Sequence, residues 1–117
     1  MKILILTTDQ ELALLRQRAL ETAGHEVVAI MTEKEALEAP DNPDRVDVIV
    51  ICHRLPDATA RKVIRLFHER HPEGKVVYIV HLYGEWPEVE ADRYVVGADG
   101  PDALLRVISE VGPQAGA

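Results

Sequence analysis

Asp47-Val48-Ile49-Val50-Ile51-Cys52-His53-Arg54-Leu55-Pro56-Asp57 is the stretch on which the fold turns. Val48–Cys52 is an unbroken apolar run rich in Val and Ile, with Asp47 before it and His53-Arg54 after it. A strand with one wet face would alternate apolar and polar residues; a continuous run suits a strand covered on both faces, as in a parallel sheet between helices. Four more runs of this kind stand around it: Ile3–Leu6, Val27–Ile30, Val76–Val80 and Tyr94–Val96.

Between the runs the apolar spacing changes to that of helices. Leu12, Leu15, Ala19 and Ala23 form one stripe, opened by the capping-box pattern Thr8-x-x-Glu11 and closed by Gly24. A short second helix is predicted from Thr32, with Glu35 three residues on, ending before Pro40. A third carries Ala60, Val63, Ile64 and Phe67 on one face and stops at His71-Pro72. The last uses Leu104, Leu105 and Ile108, with Asp102 near its start, and ends before Gly112-Pro113. Leu82–Glu90 should hold a further helix, but Gly84, Trp86 and Pro87 allow it no more than a turn or two. Strand and helix in alternation imply right-handed crossovers. The predicted fold is therefore α/β: a doubly wound, five-stranded parallel sheet with helices on both faces. One domain over residues 1–111 and a disordered tail over 112–117 are expected.

Composition narrows the function classes. The chain has 117 residues, 47% hydrophobic and 28% charged, which is enough apolar material for one core. A single cysteine, Cys52, rules out an intramolecular disulfide. Twenty acids against 13 Lys and Arg give a formal charge of -7, which argues against a dedicated nucleic-acid binder. No apolar run approaches the ~20 residues that span a bilayer, so membrane insertion is not expected and a cytoplasmic location is. The charge is uneven. Residues 53–75 hold six bases and three acids, a basic belt in an acidic chain. Such a belt is either a solvated helix face or a docking surface for an acidic partner.

Residues 2–16 (KILILTTDQELALLR), 20–27 (LETAGHEV), 47–57 (DVIVICHRLPD), 91–96 (ADRYVV) and 101–105 (PDALL) together resemble a response-regulator receiver domain of two-component phosphorelay signalling. The likeness covers roughly residues 2–111 and implies the flavodoxin-like receiver topology, with a fourth helix shorter than the family's. It also implies a chemistry: a phosphoryl group taken by an aspartate ending strand three, with Mg²⁺ on that aspartate and on an acidic pair after strand one. A Ser or Thr ending strand four and a Lys after strand five would contact the phosphoryl oxygens.

This sequence departs from that pattern at each position. The acidic pair falls on Thr7 and Thr8, the acceptor on Cys52, the hydroxyl on Val80 or His81, and the lysine on Gly97. Two threonine hydroxyls and a thiol are a poor Mg²⁺ site, and without metal or lysine the charge on a transferring phosphoryl group lacks stabilisation. The expectation is a degenerate pseudo-receiver with no cofactor and no catalytic residue.

Other chemistries find weaker support. Cys52 is either a small buried hydrophobe or a reactive thiol, and reactivity needs a nearby cation and solvent access. Asp9, Cys52, His53 and His81 are zinc-type ligands without zinc-site spacing. No glycine-rich phosphate-binding pattern occurs, and Ser109, the only serine, falls in the last helix. An enzyme is not expected.

Two features favour contact with proteins. Tyr83 and Trp86 lie in a short acidic loop, either plugging the core or anchoring an interface. Arg61, Lys62, Arg65 and Arg70 would be exposed once the third helix buries its apolar face. The leading expectation is a phosphorylation-independent signalling module that binds a protein partner, with a homodimer left open. The alternative is a small-molecule or redox sensor using the altered cleft around Thr7, Thr8, Cys52 and Gly97.

Overall fold

The computed structural model describes residues 2–7, 10–30, 46–52, 55–80 and 89–111. Five strands, β1 (Lys2–Leu6), β2 (Glu26–Ile30), β3 (Val48–Cys52), β4 (Lys75–Val80) and β5 (Arg93–Val96), form one sheet in the order β2-β1-β3-β4-β5, every pair parallel. Among the described residues there are three α-helices: α1 (Gln10–Thr22), α2 (Asp57–Arg70) and α3 (Pro101–Val111). All five predicted runs are strands, and β3 has the predicted bounds. The expected helix at 32–39 and nearly all of the segment 82–90, where the shortened fourth helix is expected, lie outside the described residues, as does the tail at 112–117.

Alternation along each strand splits the core into two layers. Leu4, Leu6, Ile49, Ile51, Val76 and Tyr78 meet Ala60, Val63, Ile64 and Phe67 of α2. Ile3, Ile5, Val48, Val50, Val77 and Ile79 meet Leu20 of α1 and Leu104 and Ile108 of α3. The sheet is thus covered by helices on both faces. β3 is buried along its whole length, as its unbroken apolar run requires. Burying each such side chain contributes about 1.5–3 kcal/mol.

Two aspartates pin the starts of the strands. Asp47, just before β3, accepts the Lys2 N–H on Oδ2 at 3.0 Å, while its own N–H donates to the Lys2 carbonyl. Asp92, just before β5, accepts the Val76 N–H on Oδ2 at 2.7 Å. Each carboxylate satisfies a neighbouring strand's amide where the ladder begins.

Helix α1 departs from the predicted stripe. Its buried residues are Ala13, Arg16 and Leu20, whereas Leu15 is 54% exposed and Ala23 is exposed. Leu12 and Ala19 are only half-buried. The helix is turned so that an arginine, with its long aliphatic stem, takes the place read for leucine. Its C-terminus follows the prediction. Gly24 has φ +97°, its N–H bonds to Glu21 O at 2.9 Å, and the His25 N–H bonds to Leu20 O at 3.1 Å. This is a Schellman closure, which favours glycine at its left-handed position.

Helix α2 buries Ala60, Val63, Ile64 and Phe67 as read, and leaves Arg61, Lys62, Arg65 and Arg70 exposed. On α3, Leu104 and Ile108 are buried and Leu105 half-buried.

Candidate functional site

In an open parallel sheet, ligands gather beyond the carboxyl ends of the strands, where the strand order reverses. Here β1 leads outward to β2 on one side and β3 leads outward to β4 on the other, so the order reverses between β1 and β3. The described residues there are Thr7 after β1, Cys52 ending β3, Val80 ending β4 and Gly97 after β5. Thr8 and His81, like Asp9, His53, Tyr83 and Trp86, lie outside the described residues.

These four residues do not all face one way. Cys52 continues the alternation of Val48 and Val50 and turns toward α1. Thr7 follows Ile3 and Ile5 to the same face. It is buried, and its N–H bonds to Ile30 O at 3.0 Å. Gly97 borders the same layer, beside Ile79. Val80, by contrast, packs into the α2 layer with Tyr78 and Leu55, so β4 ends with its last side chain turned away from Cys52.

Arg16 is the residue that sequence reasoning missed. Its side chain is drawn from α1 into the space between Cys52 and Gly97, leaving the residue 8% exposed. Nη1 donates to Cys52 Sγ at 3.7 Å. A Cβ at position 97 would stand 3.4 Å from Nη2 and 3.3 Å from Ile79 Cγ2. The guanidinium thus lies within van der Waals reach of any side chain placed at position 97. A cation is thus present at this end of the sheet, delivered from a helix instead of a strand. The available signal was an arginine in phase with Ala13 and Leu20, a pattern hidden by the more apolar Leu12 and Leu15.

Arg16 also lines a cavity of about 70 Å³ between α1 and the turn leading into α3. Leu12 and Leu15 form one wall, Ile79 and Val95 the floor, and Gly97, Gly100, Pro101 and Leu104 the far side. Around Cys52 the contacts are thus a buried thiol, a buried guanidinium and an apolar hollow beside them. Among the described residues, no three His, Cys, Asp or Glu side chains gather as a metal site would require. Ser109 lies exposed on α3, its hydroxyl bonded to Arg106 O at 2.7 Å, away from the cleft.

The strand order and the two helical layers have counterparts among solved structures. The chain is similar to the chemotaxis protein CheY4 of Vibrio cholerae, at 21% identity and a TM-score of 0.79 over 94% of this chain and 97% of that one. This is the receiver fold. A response regulator receiver protein from Sinorhizobium medicae is similar at 25% identity and a TM-score of 0.76, over 94% of this chain and 92% of that one. The response regulator TrrA of Thermotoga maritima, in complex with Mg²⁺ and beryllofluoride, is similar at 18% identity and a TM-score of 0.78, over 94% of this chain and 97% of that one. TrrA is also found in complex with the histidine kinase ThkA. No protein-family model matches this sequence, and no curated protein does. Among the described residues, no helix of this receiver fold is long and apolar enough to cross a membrane.

Proposed function

We propose that this chain is a receiver-type module of two-component signalling that works through protein contacts and takes no phosphoryl group. The observation that carries the reading is the end of β3. The side chain facing the cleft there is a buried thiol that accepts a hydrogen bond from a buried guanidinium, where the receiver pattern requires a carboxylate. A thiol held this way offers Mg²⁺ no hard anionic oxygen. Thr7 supplies at most a neutral hydroxyl, and Gly97 supplies no side chain at all. The fold supports a signalling role, and the pairing of TrrA with a kinase is one instance of such a fold acting by protein contact. The exposed basic face of α2, with Arg61, Lys62, Arg65 and Arg70, is the contact surface we favour, for an acidic partner or for a second copy of this chain. Tyr83 and Trp86 remain candidate anchors in the same proposal.

Beryllofluoride with Mg²⁺ imitates a phosphoryl group on a receiver aspartate. We expect a titration of both into the labelled protein to leave the amide resonances of Thr7, Cys52 and Gly97 in place. Saturable shifts at those three residues would refute phosphorylation independence.

A further inference from the structure

We propose that the cavity between α1 and the β5–α3 turn binds a small monocarboxylate, its carboxylate on the Arg16 guanidinium and its short alkyl part against Leu12, Leu15, Val95 and Leu104. This goes beyond the signalling reading and stands or falls apart from it.

The argument begins with the cost of burying Arg16. A guanidinium carries five N–H donors and cannot shed its charge. Placing it in an apolar surrounding is unfavourable unless acceptors, best of all an anion, come with it. Among the described residues its hydrogen bond goes to Cys52 Sγ at 3.7 Å, and a thiol sulfur is a weak acceptor. The charge is thus buried against a poor partner at the wall of a hollow. A carboxylate matches the planar fork of the guanidinium in shape and charge, and two parallel bonds to it are among the stronger protein hydrogen bonds.

The rest of the cavity selects within the anions. Most of the described side chains lining it are apolar, and Arg16 is the one cation among those described residues. One cation matches one negative charge; a phosphate dianion would lose more hydration than a single guanidinium returns. The acidic chain, at -7, further disfavours a dianion. The cavity is small, about 70 Å³. That suits a carboxylate with a chain of two or three carbons. The wall at Leu15 is 54% exposed, which gives such a ligand a way in.

The probe is sodium propionate, added to the labelled protein in chloride-free buffer and followed by amide resonances. We expect saturable shifts at millimolar concentrations, confined to residues 12–16, 79 and 95–104. Arg16→Met keeps the length and apolar packing of the stem and removes the charge. It should weaken propionate by about tenfold or more, the value of one charge-assisted bond. Leu15→Glu, at an exposed position, puts a competing carboxylate at the mouth and should also weaken binding; it decides the matter if Arg16→Met does not fold. The proposal is overturned by any of four results: no saturable shift, unchanged affinity in a folded variant, propionamide binding as tightly as propionate, or inorganic phosphate or chloride occupying the cavity more tightly.

Discussion

Arg16 brings its guanidinium within van der Waals reach of position 97. A Cβ there would sit 3.3 Å from Ile79 Cγ2, tight by a few tenths of an ångström, and 3.4 Å from Arg16 Nη2, an ordinary contact. Lysine at 97 would force both a chain and a second positive charge against the buried guanidinium. We expect Gly97→Lys to lower the stability to urea by about 1–3 kcal/mol, the usual cost of overfilling a packed site. Parental stability in that variant would mean that Arg16 swings out of the cleft at no cost. Thr7, Cys52 and Gly97 were readable from the sequence because strand ends bring them to the switch point of any parallel sheet of this order. Arg16 was not, because its place depends on how α1 is rotated against the sheet.

Helices α1 and α2 differ in how openly their buried faces are written. In α2 the apolar residues Ala60, Val63, Ile64 and Phe67 share one face, and basic residues occupy the other, so one rotation is clearly favoured. In α1 the residues Leu12, Ala13, Leu14, Leu15, Ala19 and Leu20 spread apolar surface around the helix, and the local pattern admits more than one phase. Leu14 and Leu15 end 48% and 54% exposed. The end of α2 is also closely fitted. Its His71 N–H returns to Phe67 O at 2.7 Å, and the Gly74 N–H reaches His71 O at 2.9 Å, folding the chain back over the Phe67 ring. A Cβ at Gly74 would overlap that ring. Phe67 is fully buried and has little freedom to yield, so Gly74→Ala should cost about 1–3 kcal/mol in thermal or urea unfolding. A variant as stable as the parent would show that the turn, and not the ring, absorbs the added methyl.

For the molecule as a whole, the buried Tyr78 ring and the half-buried His71 ring each contribute to the pH dependence of stability. Burial of Tyr78 in the α2 layer pushes its hydroxyl up to about 12, with Asp57 adding to the rise. The folded state then keeps a proton that the unfolded chain releases near pH 10, so this stability is present below pH 10 and lost as pH rises toward 12. His71 shifts the other way. Its Nδ1 accepts the Val46 N–H at 3.4 Å, Nε2 is buried without a partner among the described residues, and burial lowers its pKa despite the opposing pull of Asp47. The neutral ring favours the folded state above pH 6.5, and that contribution is lost as pH falls through the lowered pKa. Unfolding free energy measured against pH should therefore form a plateau between about 6.5 and 10 and decline on both sides. In His71→Phe the acid decline should be shallower, and an unchanged slope would assign it to other groups. The strands, α2, α3 and the parallel sheet were determined by sequence alone, because unbroken apolar runs and a one-sided apolar helix each have one low-energy placement. The turning of Val80 away from Cys52 and the burial of Arg16 beside it were decided only in the tertiary structure. They depend on contacts between residues distant in sequence, which no local apolar pattern specifies.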